Sequence, residues 1–203
     1  MWGKTGINCF VLITGYFMCK SNITIRKFLK LLLEIEFYNI AIYLIFTMAG
    51  YETFSIKGCL KSVLPITSVS NGFTSCFLLF YLFIPFLNIL INQLSKKQHL
   101  LLISLCLFTY TILGSLPKID VTMNYVSWFC VLYIISSYFR IYGLPIKVSR
   151  WKLLTILSVL LSILSVLGFL YLNERFHLSL YPYRLVSDSN SIFAILTGIC
   201  SFM

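Results

Sequence analysis

Long apolar stretches alternate with short polar ones along this chain. The apolar runs at residues 6–19, 31–50, 73–93, 100–116, 126–142, 152–172 and 191–203 are apolar all round rather than on one face. Crossing a bilayer core of about 30 Å takes about 20 residues at 1.5 Å each. Lipid offers backbone groups no hydrogen-bond partner, so runs of this kind are predicted to be helices. No period of two is visible, which argues against a barrel. The pattern predicts an all-α, polytopic transmembrane helix bundle with six full spans and a partial seventh, in one domain over residues 1–203. The last run, "SNSIFAILTGICSFM", amounts to only about 20 Å of helix, and truncation of the chain at both ends is the expectation.

The polar stretches orient the spans. Residues 20–30, 51–72, 94–99, 117–125, 140–152 and 173–190 carry 4, 2, 2, 1, 4 and 2 Lys or Arg residues, and the net charge alternates in step. Basic residues are retained on the cytoplasmic side, which predicts residues 20–30, 94–99 and 140–152 inside and the N-terminus outside. No small-x-small cleavage site follows the first run in "FMCKSNITIRK", so that run reads as a retained span and not a signal peptide.

Composition agrees. Hydrophobic residues make up 59% of the chain and charged ones 11%, against about 25% charged in a soluble domain. The class is therefore integral membrane protein, with the lipid bilayer as its first partner. The net charge of +10 fits cytoplasmic loops better than nucleic acid, since no basic stripe with interleaved aromatics occurs. Seven cysteines are present without a Cys-x-x-Cys pair, and neither histidine is spaced for a metal site. No metal is expected, and the cysteines read as small apolar residues.

Several residues interrupt the apolar runs. Thr14, Gly15 and Tyr16 form a polar notch near the cytoplasmic end of the first span; small residues there also permit close helix packing. Glu34 lies four residues after Lys30, at the spacing of a same-face ion pair. Glu36 lies deeper, with Asn39 as its best local partner, and an intramembrane acid is by default a functional candidate. Pro85 removes a backbone hydrogen bond from its span, and Asn88 is placed to refill the freed group. Trp2, Trp128 and Trp151 read as interfacial anchors, and His99 and His177 as interfacial histidines.

Four stretches, in order, resemble one family. "GINCFVLITGYF" resembles the Gly-x-Asn-x-Phe run ending in Ser-Gly-Tyr-Phe of the acyltransferase family three membrane proteins. "IRKFLKLLLEIEFYNIAIYLI" looks like that family's basic loop and following span. "LFYLFIPFLNILINQLSKKQ" is similar to its Pro-Phe-Leu-Asn span, and "WFCVLYIISSYFRIYG" to its Trp-Phe to Tyr-x-Arg span. The resemblance implies a bacterial cell-membrane O-acyltransferase. Such an enzyme moves an acyl group, acetyl for example, from cytoplasmic acyl-CoA to a hydroxyl of a glycan or lipid-linked sugar. Acyl-CoA is then a substrate, and no bound cofactor is expected. Arg26, Lys27 and Lys30 become candidates for the phosphates of acyl-CoA, although the positive-inside rule also accounts for them. The resemblance begins at the family's second span. The histidine thought to serve the chemistry, with an arginine upstream, is expected in a first span that has no counterpart here, and no catalytic residue is assigned. Two positions depart from the pattern: Thr14 stands where Ser is usual, and Gly72 where relatives tend to have Trp. The alternative is a transporter or flippase-like protein for lipid or polysaccharide, which needs a polar path between spans that Asn8, Glu36, Asn88 and Arg140 are too few to trace.

The orientation is testable with single cysteines at Ser21 and Ser55 in a background lacking the native cysteines. An impermeant thiol reagent added from outside is expected to label position 55 and not position 21. The reverse pattern would invert the topology.

Overall fold

A computed structural model describes residues 2–21, 23–51, 53, 55, 72–116, 119, 121–143, 148–177 and 181–203. Cys59 and the loop charges Glu52, Lys57, Lys61, Lys118, Asp120 and Lys147 lie outside the described residues, as does the side chain of Trp2. Among the described residues every regular element is helical: α1 Trp2–Met18, α2 Ile25–Met48, α3 Phe73–Gln93, α4 Lys96–Leu107, α5 Tyr125–Tyr142, α6 Val148–Phe176 and α7 Ile192–Phe202. Polar residues start two of them. Ser95 and Gln98 form a reciprocal capping box on α4, and Asn124 accepts from the Val126 amide at the start of α5, satisfying donors that have no partner inside the helix. Beyond Leu107, α4 loosens into a π-helical turn over Phe108–Leu113.

Three helices are long and apolar enough to cross a membrane: α2, α3 and Arg150–Phe176 of α6. The others are shorter or more polar. α1 has 17 residues and α7 has 11. α5 has 18 residues but carries four tyrosines, three serines and Arg140. The reason lies in packing. α5 is the central helix, with Trp128, Phe129, Leu132, Tyr133 and Ile135 buried, so its side chains meet protein and not lipid. No residue of α2 is buried, and a helix surrounded by lipid must be apolar all round.

Specific contacts fix the direction of each helix. α1 and α5 run parallel and in register: Lys4 bonds Tyr125, Asn8 bonds Trp128 and Tyr16 bonds Arg140. α7 is parallel to α1, since Asn8 reaches Ala194 while Tyr16 meets Phe202. α3 is parallel to both, with Phe73 beside Phe10 and Phe129, and Asn88 beside Met18 and Tyr133. α4 is antiparallel to α5: His99 packs against Tyr138 and Tyr142, and Tyr110 against Trp128. One end of the bundle therefore gathers Lys20, Arg26, Lys30, Lys96, Lys97 and Arg140, all exposed. The described acids off α2, Glu174 and Asp188, belong to the opposite end.

Several sequence expectations are corrected here. Trp128 and Trp151 are buried rather than interfacial. His99 is also buried, with its Nε2 at 2.9 Å from the Ile134 carbonyl. Only a protonated Nε2 can donate to that carbonyl, so the ring pins α4 to α5. Asn88 does not refill the carbonyl freed by Pro85. Its Oδ1 accepts from the Tyr133 hydroxyl at 2.7 Å, and its Nδ2 faces the Met18 and Ser21 carbonyls at 3.4 and 3.5 Å, at the C-terminal end of α1 and just past it.

Among the described glycines, Gly15 has the tightest surroundings. A Cβ there would lie 3.1 Å from the Tyr133 Cα and would collide with Ser136 Oγ. Gly15→Ala is expected to cost about 1–3 kcal/mol, as overpacked cores do. Thermal unfolding of purified protein would show a lower midpoint. Gly3→Ala, where a Cβ meets nothing within 4 Å, serves as the silent control.

Candidate functional site

The polar notch separates into three different roles. Thr14 is half-buried and returns its hydroxyl to the Phe10 carbonyl of its own helix at 2.9 Å. Gly15 is the contact point on α5. Tyr16 turns to the basic end, where the Arg140 guanidinium lies 4.6 Å from its ring centroid and donates through Nη1 to its hydroxyl at 3.1 Å. Cation–π and hydrogen-bond contacts together hold Arg140 at the mouth of the α1–α5 seam. Arg26, Lys27 and Lys30 open α2 nearby in sequence and are exposed.

α2 itself carries the remaining candidates away from the seam. Its main packing is on α3, where Phe28 meets Tyr81 with ring centroids 6.2 Å apart. Glu36 is half-buried on this helix. Among the described residues it has no hydrogen bond to Asn39, and Lys30 makes no ion pair with Glu34. The structure does not bring Glu36 together with Thr14, Gly15 or Tyr16. The polar path named for a transporter is not formed either: Asn8 and Asn88 are spent on holding helices together, and Glu36 stands on α2.

Asn8 is the polar hub of the core. It is fully buried. Its Nδ2 donates to the Ser189 carbonyl at 2.8 Å and faces that of Ala194 at 3.3 Å. Its Oδ1 accepts from the Trp128 indole at 3.0 Å. One side chain thus ties α1 to α5, to α7 and to the segment before α7. Gly198 makes room for it, since a Cβ there would lie 2.9 Å from the Asn8 Cβ.

That segment, residues 181–191, closes the end opposite the cations. Turns hold it, with Val186 and Ser187 amides on the Tyr183 carbonyl and Ser191 Oγ bridging the Asp188 amide and the Arg184 carbonyl. Arg184 reaches across to α4. Its Nε donates to the Ser115 carbonyl at 3.1 Å and its Nη2 to the Leu116 carbonyl. A cation there matches the unpaired carbonyls and negative dipole end of a helix C-terminus. Asn190 donates to the Tyr110 carbonyl at 2.8 Å, inside the π-helical turn. Between these elements lies a cavity of about 400 Å³ lined by Ser115, Tyr181, Arg184, Asp188 and Asn190 among others. Nothing in the sequence reading marked it. The available signal is the polar run "SDSNS" at 187–191, which joins the end of a polar stretch to the start of the last apolar run.

The two histidines sit in different surroundings. His99 spends its Nε2 on Ile134, and its Nδ1 is buried without a partner among the described residues. His177 ends α6 with φ at 51° and is exposed.

Comparison with known families gives one result. A family model described as an acyltransferase domain matches residues 1–203, the whole chain. No curated protein and no solved structure matches it.

The hub makes a sharp stability prediction. Asn8→Ala strands the Trp128 indole N–H in the core, which costs about 1–3 kcal/mol for the unpaired group. Trp128→Phe strands Asn8 Oδ1 in turn. The double variant is expected to lose less than the sum of the two single losses, because each single change already breaks the shared bond. Unfolding midpoints of the four proteins measure this, and strict additivity would show that the bond contributes nothing.

Proposed function

This chain belongs to acyltransferase family 3, and on that premise we propose that it is a membrane O-acyltransferase or the core of one. It moves an acyl group, such as acetyl, from cytoplasmic acyl-CoA to a hydroxyl of a surface glycan or lipid-linked sugar. The match over residues 1–203 carries this reading. In the same proposal the bundle lies in a bacterial cell membrane, crosses it six times with a partial seventh span, and keeps its N-terminus outside. The cations that share one end of the bundle are what the cytoplasmic face of such a protein needs, and they suit a polyanionic donor.

Acyl transfer to a hydroxyl requires a group to accept that hydroxyl's proton and donors to receive charge on the tetrahedral oxygen. His99 is a poor choice for that base: its Nε2–H is bound to the Ile134 carbonyl, and Nδ1, the nitrogen left to accept a proton, is buried in the core. The residues of this chain serve the donor side. Arg26 and Lys27 engage phosphate oxygens with charge-assisted hydrogen bonds, and Lys30 adds a further cation. Arg140, held over Tyr16, joins them as a candidate. Its side chain is already oriented and surrenders little rotamer freedom on binding.

Each charge-assisted contact contributes about 1.5–3 kcal/mol, so Arg26→Ala or Lys27→Ala is expected to weaken CoA binding about ten- to hundred-fold. Lys96→Ala and Lys97→Ala should do less. The measurement is calorimetric CoA affinity of the four variants and the parent, with topology checked in each. Affinity equal to the parent in all four would leave the basic loop as a topology signal alone.

A further inference from the structure

The cavity beside Arg184 has properties the basic end lacks. Its size, about 400 Å³, falls in the range of about 300–1,000 Å³ typical of small-molecule sites. Its polar lining combines unspent donors and acceptors. Asn190 uses its Nδ2 on Tyr110, which leaves Oδ1 as an acceptor. Ser115 donates to the Thr111 carbonyl at 2.7 Å and keeps its oxygen lone pairs. Asp188 receives only Ser187 Oγ, at 3.3 Å on Oδ2, and has acceptor capacity to spare. Arg184 retains the N–H groups of Nη1, which make no bond among the described residues. Tyr181 adds a hydroxyl and an exposed ring.

Charge selects among ligands. Among the described residues the lining holds one cation and one acid, and these carry no net charge together. The cation is partly spent, with two of its nitrogens on backbone carbonyls. A phosphate or carboxylate would meet Asp188 with no surplus of positive charge to offset it. Paired donors and acceptors beside an aromatic ring suit vicinal hydroxyl groups, each of which both donates and accepts.

We propose that this cavity binds an uncharged, polyhydroxylated ligand, a neutral sugar residue, at the end of the bundle opposite the cations. Naming that sugar the acyl acceptor rests on the acyltransfer reading above; its binding does not. The same chemistry is offered by a free glycan and by a lipid-linked sugar.

The full chain in lipid nanodiscs, free of sugar-headed detergent, is examined by saturation-transfer NMR with glucose, glucose 1-phosphate and octyl glucoside. Glucose is expected to bind and glucose 1-phosphate to bind more weakly. Asp188→Ala should weaken glucose about ten-fold, the loss of one hydrogen bond to a charged group, and Asp188→Asn should restore much of it. Tyr181→Ala should weaken it as well. Both side chains are exposed, so these changes leave the packing in place, and helix content by circular dichroism checks this. Tighter binding of octyl glucoside, lost in Asp188→Ala, supports a lipid-linked source, and equal binding supports a free glycan. Absence of a glucose signal in folded parent, indifference to Asp188→Ala and Tyr181→Ala, or preference for glucose 1-phosphate would each overturn the proposal. CoA affinity is measured on the same samples. Its loss in Arg26→Ala with glucose binding intact supports separate sites, whereas Arg26→Ala without effect on CoA defeats the donor reading and leaves the sugar site standing.

Discussion

With hydrogen in place of a side chain at Gly15, α1 lies against the backbone of α5 at Tyr133. The two helices then stay parallel and in register along their shared length. In lipid no hydrophobic force drives apolar helices together, so close packing and hydrogen bonds must do it. Gly15 supplies the first and Asn8 the second. With α5 fixed against α1, its other sides receive α3 through the Phe73, Phe80 and Phe129 rings and α4 through His99. α7 settles on α1 because Gly198 admits Asn8. α6 comes last, packed against α7 and presenting mostly apolar side chains outward.

The helices were legible because burying a backbone in lipid leaves a long apolar run, and all seven runs are helical, that at 73–93 to the residue. What an all-round apolar run cannot encode is which neighbour it touches. By length and hydropathy α2, α3 and α6 stand out, although α3 is much more buried than the other two, while the central α5 is diluted by the tyrosines and serines its neighbours accept. Trp128 and His99 were misplaced for the same cause. Their polar atoms suggest an interface when sequence is the only guide, but each finds a buried partner, Asn8 and the Ile134 carbonyl.

The candidate site was legible in fragments. "GINCFVLITGYF" lies on α1, and Tyr16 within it meets a cation. The cation is Arg140, 124 residues away, which no spacing rule connects to it. The opposite cavity was hidden because its residues are ordinary turn formers one by one. Arg184, Asp188 and Asn190 become a site only when α4 brings the carbonyls of Tyr110, Ser115 and Leu116 to meet them.

The π-helical turn at Phe108–Leu113 gives that meeting a geometric condition. Such a turn holds one more residue than an α-turn, so it rotates everything beyond it about the helix axis by about 100° relative to an uninterrupted α-helix. Ser115 and Leu116 face Arg184 only with that extra residue in place. A one-residue deletion within 108–113 would leave an apolar helix of nearly unchanged length and hydropathy, yet swing its last carbonyls off the loop. The register of the 181–191 loop against the bundle is thus set by a single inserted residue, a change that a comparison of hydropathy profiles between relatives would pass over in silence.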